Sequence, residues 1–297
     1  MNINIMDNWK KWVLVSGVIA LLSVLIMLVV GLNFGIHFTG GIGVQVELGE
    51  DVNTEDVREV LASLTVEDMD GESVSLENSF VQSIDESEFY IRTIPLPEDS
   101  RVELLNSLED SFPGYSRGEV EDIGPQVGQE LIRNALLSLL VAAVILILYI
   151  SYRFQLLFAI SALCALVFDI LIVLLVFSIF NIELNTPFVA AILTIVGYSI
   201  NDTIVVFDRV RENLKYKAKE SDSEIVNTSI SQTIVRSVNT SLTTILVLGS
   251  LLFLGGETLQ PFAIPLFFGV ISGTYSSIFV ASPVWLALRN KSAKKAA

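Results

Sequence analysis

Six stretches of the sequence are apolar for long enough to cross a bilayer: Trp12–Leu32, Leu131–Ile150, Leu156–Phe180, Pro187–Phe207, Ile234–Leu254 and Pro261–Leu288. A helix spanning the hydrocarbon core needs roughly 20 mostly apolar residues, and a soluble fold has no use for six such runs. The bilayer is therefore the expected solvent for most of the chain, in keeping with 52% apolar and only 17% charged residues. The first run follows Lys10 and Lys11, is longer than the apolar part of a leader, and has no small-x-small site after it. It reads as an uncleaved first span.

Basic residues give the expected orientation. Lys10 and Lys11 precede the first span, and Arg153 lies in the next short turn. Arg209, Arg211, Lys215, Lys217 and Lys219 occupy the loop between spans four and five, and Arg289, Lys291, Lys294 and Lys295 follow the sixth. All four groups fall on one side, so residues 1–11, the loop 208–233 and the tail 289–297 are expected in the cytoplasm of a multi-pass cytoplasmic-membrane protein. Trp9, Trp12, Tyr149, Tyr152 and Trp285 fall near the span boundaries, where aromatic belts form.

The net charge of −15 is concentrated between Asn33 and Glu130, where only Arg58, Arg92, Arg101 and Arg117 oppose the acids. That balance excludes nucleic acid as an expected partner. Cys164, the single cysteine, falls within the third span, and His37 is the single histidine. Neither a disulfide nor a histidine-based metal cluster is expected, and no cofactor is called for.

Residues 33–130 form the one segment between spans that is long enough for a domain. Its pattern runs strand, helix, strand, strand, helix, strand, the order of a ferredoxin-like split βαβ. Ile42–Leu48 alternates as a half-buried strand. Asn53 is placed to cap a helix with Val57, Val60, Leu61 and Leu64 on one face. Phe80–Ile84 and Glu88–Ile94 read as a hairpin turning at Asp85-Glu86-Ser87. Ser100-x-x-Glu103 has capping-box spacing ahead of Leu104, Leu105, Leu108 and Phe112, and Gly114–Glu121 supplies a last strand. The expected fold is a six-helix membrane protein with one α+β ferredoxin-like extracytoplasmic domain, in which no catalytic cluster is visible and no enzyme activity is expected.

Within the cytoplasmic loop, Ser221-x-x-Glu224 repeats the capping-box spacing, with Val226, Ile230, Ile234 and Val238 at four-residue steps. This predicts a helix on the membrane running into the fifth span, although a helix that only fixes the entry angle of that span fits equally. Gly269-x-x-x-Gly273 and Gly273-x-x-x-Ser277 predict close helix packing in the sixth span. Pro187, Pro261 and Pro265 are expected to open helices, and Pro283 to kink the last.

An ionisable side chain at mid-bilayer costs at least ~2.5 kcal/mol, so each one is a functional candidate. Two acids qualify: Asp169 in the third span and Asp202 in the fourth. Tyr198, Ser199, Asp202, Val206 and Arg209 share a helix face, with Asn201 and Thr203 flanking the acid. Such a polar face is expected to point into the bundle. In the fifth span Arg236, Asn239, Thr240, Thr243 and Thr244 form a second polar stripe at similar depth. Asp202 and Arg236 are expected to meet as an ion pair. A carboxylate's affinity for a proton depends on whether a guanidinium lies beside it, so helix movement would switch proton binding. A static pair serving packing fits the same spacing, and Asp169 fits either titration or a fixed hydrogen bond to a neighbouring helix.

The run from Val189 to Asn213, containing Gly197-Tyr198-Ser199-Ile200-Asn201-Asp202, closely resembles the fourth-span signature of the SecF family of protein-export membrane proteins. Arg236-Ser-Val-Asn-Thr-Ser-Leu-Thr-Thr244 is similar to that family's fifth-span motif. Phe38-Thr39-Gly40-Gly41 is similar to its Asp-Phe-Thr-Gly-Gly box, and Val127-Gly128-x-Glu130-Leu131 and Tyr152-Arg153-Phe154 also fit. The resemblance implies a fold like the resistance-nodulation-division transporters, pairing with SecD beside a SecYEG-type translocon. It further implies use of the proton-motive force to draw unfolded preproteins across the membrane, with Asp202 in proton passage, Arg236 as its basic partner and another acid supplied by SecD. The sequence departs from the family at His37, where Asp is usual, and at Phe168-Asp169, where many relatives have His-Asp. Two other functions fit a six-span chain: a small-molecule or lipid exporter of the same superfamily, which would normally need two such repeats, and a passive translocon assembly factor.

Overall fold

A computed structural model describes residues 4–49, 51–85, 87–216, 220–256 and 259–296. Lys217 and Lys219 of the basic loop and Glu86 of the expected hairpin turn lie outside the described residues. The chain divides into two compact units, Phe34–Asn134 and a bundle of Met1–Asn33 with Ala135–Ala297.

Within the first unit, α2 (Ile36–Thr39) leads into β1 (Gly41–Glu47), followed by α3 (Thr54–Ser63), β2 (Thr65–Glu67), β3 (Ser73–Ser75), β4 (Phe80–Ser83), β5 (Glu88–Thr93), α4 (Glu98–Ser111) and β6 (Ser116–Ile123). The main sheet is antiparallel in the order β4-β5-β1-β6. With α3 and α4 as the two crossovers, that is the ferredoxin-like arrangement. Alternation in β1 and β5 buries Ile42, Val44, Val46, Phe89 and Ile91 against Val57, Leu61, Leu104, Leu105, Leu108 and Phe112 of the helices. Val44 pairs with Ile91 and Val46 with Phe89, so the apolar register is held across the strand pair.

Asn53 caps α3 in a reciprocal box with Asp56. The box expected at Ser100 is not there. The helix starts earlier, after Pro97, because the Ser100 hydroxyl donates to the Glu67 carbonyl at 2.8 Å and so ties α4 to β2. The β2–β3 ribbon is a further addition to the expected order, its short strands pairing Thr65–Glu67 with Ser73–Ser75.

The Phe38-Thr39-Gly40-Gly41 box joins α2 to β1. Gly40 and Gly41 have φ of +72° and +134°, a region L side chains rarely adopt. A Cβ on Gly41 would lie 2.3 Å from the Thr93 carbonyl oxygen, and one on Gly40 would lie 2.9 Å from Pro125 Cα. The dipeptide is thus required by backbone angle and by close approach together.

The bundle holds six helices long and apolar enough to cross a membrane. A 3₁₀ turn at Met6–Asn8 leads into α1 (Trp9–Val30). The others are α5 (Pro125–Arg153), α6 (Leu156–Ile179), α7 (Thr186–Tyr216), α8 (Asp222–Leu254), and α9 (Gln260–Ser276) continued through a π-helical turn at Ser277–Ala281 into α10 (Ser282–Ala296). Several helices run well past the apolar stretches of the sequence, α7 and α8 most of all. Pro187 and Pro261 sit at helix starts as expected, but Pro265 lies inside α9. Pro283 follows the π turn, where its missing N–H removes one rung of the ladder and the Ser282 hydroxyl donates to the Ser277 carbonyl at 3.1 Å.

α8 is a single continuous helix capped by Ser221 and Glu224. The apolar residues that begin it, Val226 and Ile230, are buried in the bundle core beside Met6, Val206 and Val210, so this stripe faces protein and the surface-lying reading is corrected. Trp285 is likewise a core residue, stacked on Phe158 at 4.9 Å, and not a headgroup-layer aromatic. Three contacts gather the loops at one end of the bundle. Asn227 accepts from the Met6 amide, Arg289 pairs with Asp222, and Arg211 donates to the Arg153 carbonyl. The Gly41→Ala variant, measured in the full chain, is expected to unfold its sheet domain at lower temperature, with a cost of at least ~1–3 kcal/mol from strain alone. Unchanged hydrogen-exchange protection in β1 and β5 would show that the strand tolerates the side chain.

Candidate ion-coupling site

The site is built where α6, α7 and α9 meet. Gly269 and Gly273 bring α9 against α7: a Cβ on Gly269 would lie 2.4 Å from Ile195 Cδ1, and one on Gly273 would lie 3.2 Å from Ser199 Cβ. One turn further along this contact stripe, Ser277 takes the place of a third small residue, and its hydroxyl donates to Asp202 Oδ2 at 2.6 Å. The stripe was expected to serve packing alone; its last member instead bonds the fourth-span acid.

Asp169 is fully buried. Its Oδ1 accepts from Ser272 at 2.6 Å, and its Oδ2 accepts from Ser199 at 2.5 Å and Ser276 at 2.8 Å. Among the described residues no cation pairs with it, so three hydroxyl dipoles are the whole of its direct polar support. Asp202 is 8% exposed and sits three residues after Ser199 on the same face of α7. Two buried carboxyl groups, one with three serine donors and one with a single serine donor, are thus held between the same helices, an arrangement suited to holding a proton or being remodelled by one.

Of the other expected residues, Ser199 and Thr203 are buried and Tyr198 reaches α8, its hydroxyl donating to Thr244 Oγ1 at 3.3 Å. Asn201 is exposed. The expected ion pair between Asp202 and Arg236 is absent among the described residues. Asp202 turns toward α9, whereas Arg236 is exposed and lines a cavity of about 490 Å³ with Ile204, Val205 and Asp208. Helix geometry explains the difference. The face of α8 that meets α9 carries Ser237 and Ser241, with Thr274 donating to Ser241 Oγ at 2.5 Å. Arg236 is one residue, roughly 100°, off that face. Asn239, Thr240 and Thr243 are exposed with it, so most of the fifth-span stripe looks out of the bundle instead of into it.

Ser272 and Ser276 were not singled out in the sequence. The signal was available: in an otherwise apolar span, Ser272 and Ser276 recur at i and i+4, on the face that Gly269 and Gly273 already mark as close-packed.

Residues 103–291 match the family model described as "Protein export membrane protein SecD/SecF, C-terminal". The chain belongs to the SecD/SecF protein-export family. It is 37% identical over 290 residues to the protein translocase subunit SecF of Sebaldella termitidis, covering 97% of this chain and 92% of that one. It is also 36% identical to the SecDF of Bacillus subtilis, a longer protein of which it covers 38%. The crystal structure of SecDF from Thermus thermophilus superposes with a TM-score of 0.87 at 35% identity, covering 98% of this chain and 39% of that one. A SecDF structure in a "Super-membrane-facing form" gives 0.72, covering 40% of its chain. In relatives of the SecDF type, one chain carries a region like this one together with a larger remainder.

Replacing both Ser272 and Ser276 by Ala leaves Asp169 with a single donor. The purified chain is expected to lose on the order of 1–2 kcal/mol of stability. An unshifted thermal unfolding curve would mean that the hydroxyls do not hold the carboxylate.

Proposed function

We propose that this chain is the SecF half of a proton-driven protein-export motor of the cytoplasmic membrane, with both termini cytoplasmic and the sheet domain outside. Its partner is a SecD-type subunit, and the pair works beside a SecYEG-type translocon on unfolded preproteins. The observation that carries the reading is the outward polar stripe of α8. Arg236, Asn239, Thr240 and Thr243 fall within the fifth candidate span and are exposed among the described residues. Such a stripe is costly against acyl chains and calls for a second polytopic protein.

In this mechanism the acidic partner for Arg236 comes partly from that subunit and partly from Asp202. In the conformation described above, Asp202 is held by Ser277, whose hydroxyl also lies 3.0 Å from the Thr274 carbonyl. Proton uptake by Asp202 removes the charge that favours the Ser277 bond. The hydroxyl then turns to Thr274, and the π turn is free to repack α10 against α6. Proton release restores the bond. Asp169, braced by three serines, fixes the frame against which this motion occurs. Tyr198, Asn201 and Thr203 line the fourth-span route around the acid, and the Phe38-Thr39-Gly40-Gly41 box holds the turn that precedes the sheet domain.

Asp202→Asn preserves shape but, like the protonated acid, carries no charge, so it holds the Ser277 contact in its released state and cannot exchange a proton. In cells or vesicles carrying the SecD partner and an imposed proton gradient, it is expected to abolish the gradient-dependent part of preprotein export at normal protein levels. Full export by this variant would leave a passive assembly role. Loss of a small solute gradient, with export intact, would favour an exporter.

A further inference from the structure

We propose that the cavity between α5, α7 and α8 is a binding site for the headgroup of an anionic phospholipid. It lies at the end of the bundle that gathers the α5–α6 turn and the start of α8, with a volume of about 490 Å³. Its walls combine apolar Ile204 and Val205 with cationic Arg153, Arg209 and Arg236, and Phe154 lies beside the arginines. Arg209 is committed to Glu212 and Gln232. Arg153 and Arg236 have no carboxylate partner among the described residues.

Phe154 is the centre of the cationic side. The guanidinium carbons of Arg153 and Arg211 each lie 5.5 Å from its ring centroid, and Arg211 is anchored by its 2.6 Å bond to the Arg153 carbonyl. Arg211, too, has no carboxylate partner among the described residues. A planar guanidinium pairs with phosphate oxygens through two donors at once, and basic pockets between helices at a membrane surface select phosphate headgroups. Two acids temper the site. Glu212 is neutralised by Arg209, and Asp208 stands on the wall without an ion pair among the described residues.

The source of the phosphate follows from what adjoins the cavity. Val141, Ile145 and Tyr149 of α5, at four-residue steps, form an exposed ridge that leads from the apolar span to the cavity mouth. A ligand with a phosphate below and acyl chains above satisfies both surfaces; a free phosphate compound uses only the first. Arg236 belongs to the ion-coupling reading, so the site is tested through Arg153, which lines the cavity, and Arg211, which is outside the lining but shares the Phe154 ring with it.

The full chain is released from micelles holding equal phosphatidylglycerol and phosphatidylcholine, and the retained lipid is counted by native mass spectrometry. The wild-type chain should retain phosphatidylglycerol preferentially. R153Q/R211Q should lower that preference roughly 25-fold, about fivefold per arginine near an anionic surface. D208N, which removes the opposing charge, should raise it, and K215Q, at the same end but off the cavity, should leave it unchanged. Four outcomes would overturn the proposal: no preference in the wild type, an equal loss in K215Q, a fall in D208N, or displacement by millimolar glycerol phosphate. Loss of the lipid from the chain copurified with a SecD-type subunit would also overturn it, by showing a protein in its place. None of these outcomes depends on proton coupling at Asp202.

Discussion

The bundle depends on how a fully buried carboxylate is kept tolerable between three apolar helices. Asp169 meets that constraint with one hydroxyl from α7 and two from α9, so both of its oxygens accept and both neighbouring helices contribute donors. A buried polar group left unmatched costs about 1–3 kcal/mol, and a charged one more. The arrangement therefore fixes the register of α6, α7 and α9 as firmly as any apolar contact does. Gly269 and Gly273 make it possible by letting α9 approach near enough for serine, a short side chain, to reach.

Around this fixed centre the polar residues of the spans divide into two sets. One set turns inward, Asp169 with Ser199, Ser272 and Ser276, and Asp202 with Ser277. The other, on α8 and at Asn201, is turned outward. In the SecDF relatives a similar region is one part of a longer chain.

Much of the fold was readable because period and length are strong signals. Six apolar runs gave six helices, and the alternation of Ile42–Leu48 and Glu88–Ile94 gave the central strand pair, with the crossovers in the expected order. The β2–β3 ribbon escaped because three-residue strands of Thr, Ser and Glu carry too little alternation to stand out from a loop. Ser100 misled because a capping-box spacing says nothing about whether the hydroxyl has a better acceptor elsewhere, here the Glu67 carbonyl. At the site, the sequence reading placed Asp202 and Arg236 by depth alone, and depth leaves rotation open. A 100° difference in facing between Arg236 and Ser237 decided which of them met α9. The serine donors were missed because each alone is an unremarkable small residue, and only their convergence on one carboxylate gives them meaning.

The π turn at Ser277–Ala281 has a consequence for the end of the chain. A π turn accommodates one residue more than the α-helical ladder around it, which rotates everything downstream by about one residue's worth of helix. Trp285 against Phe158 and Arg289 against Asp222 are both seated on that rotated segment. The sixth helix is thus in phase with two different surfaces: its first half with the acids of α6 and α7, its second half with the aromatic and ionic contacts near the loop of α8. A chain one residue shorter here would keep either phase but not both, so the helix's length in this turn matters to both sets of contacts at once.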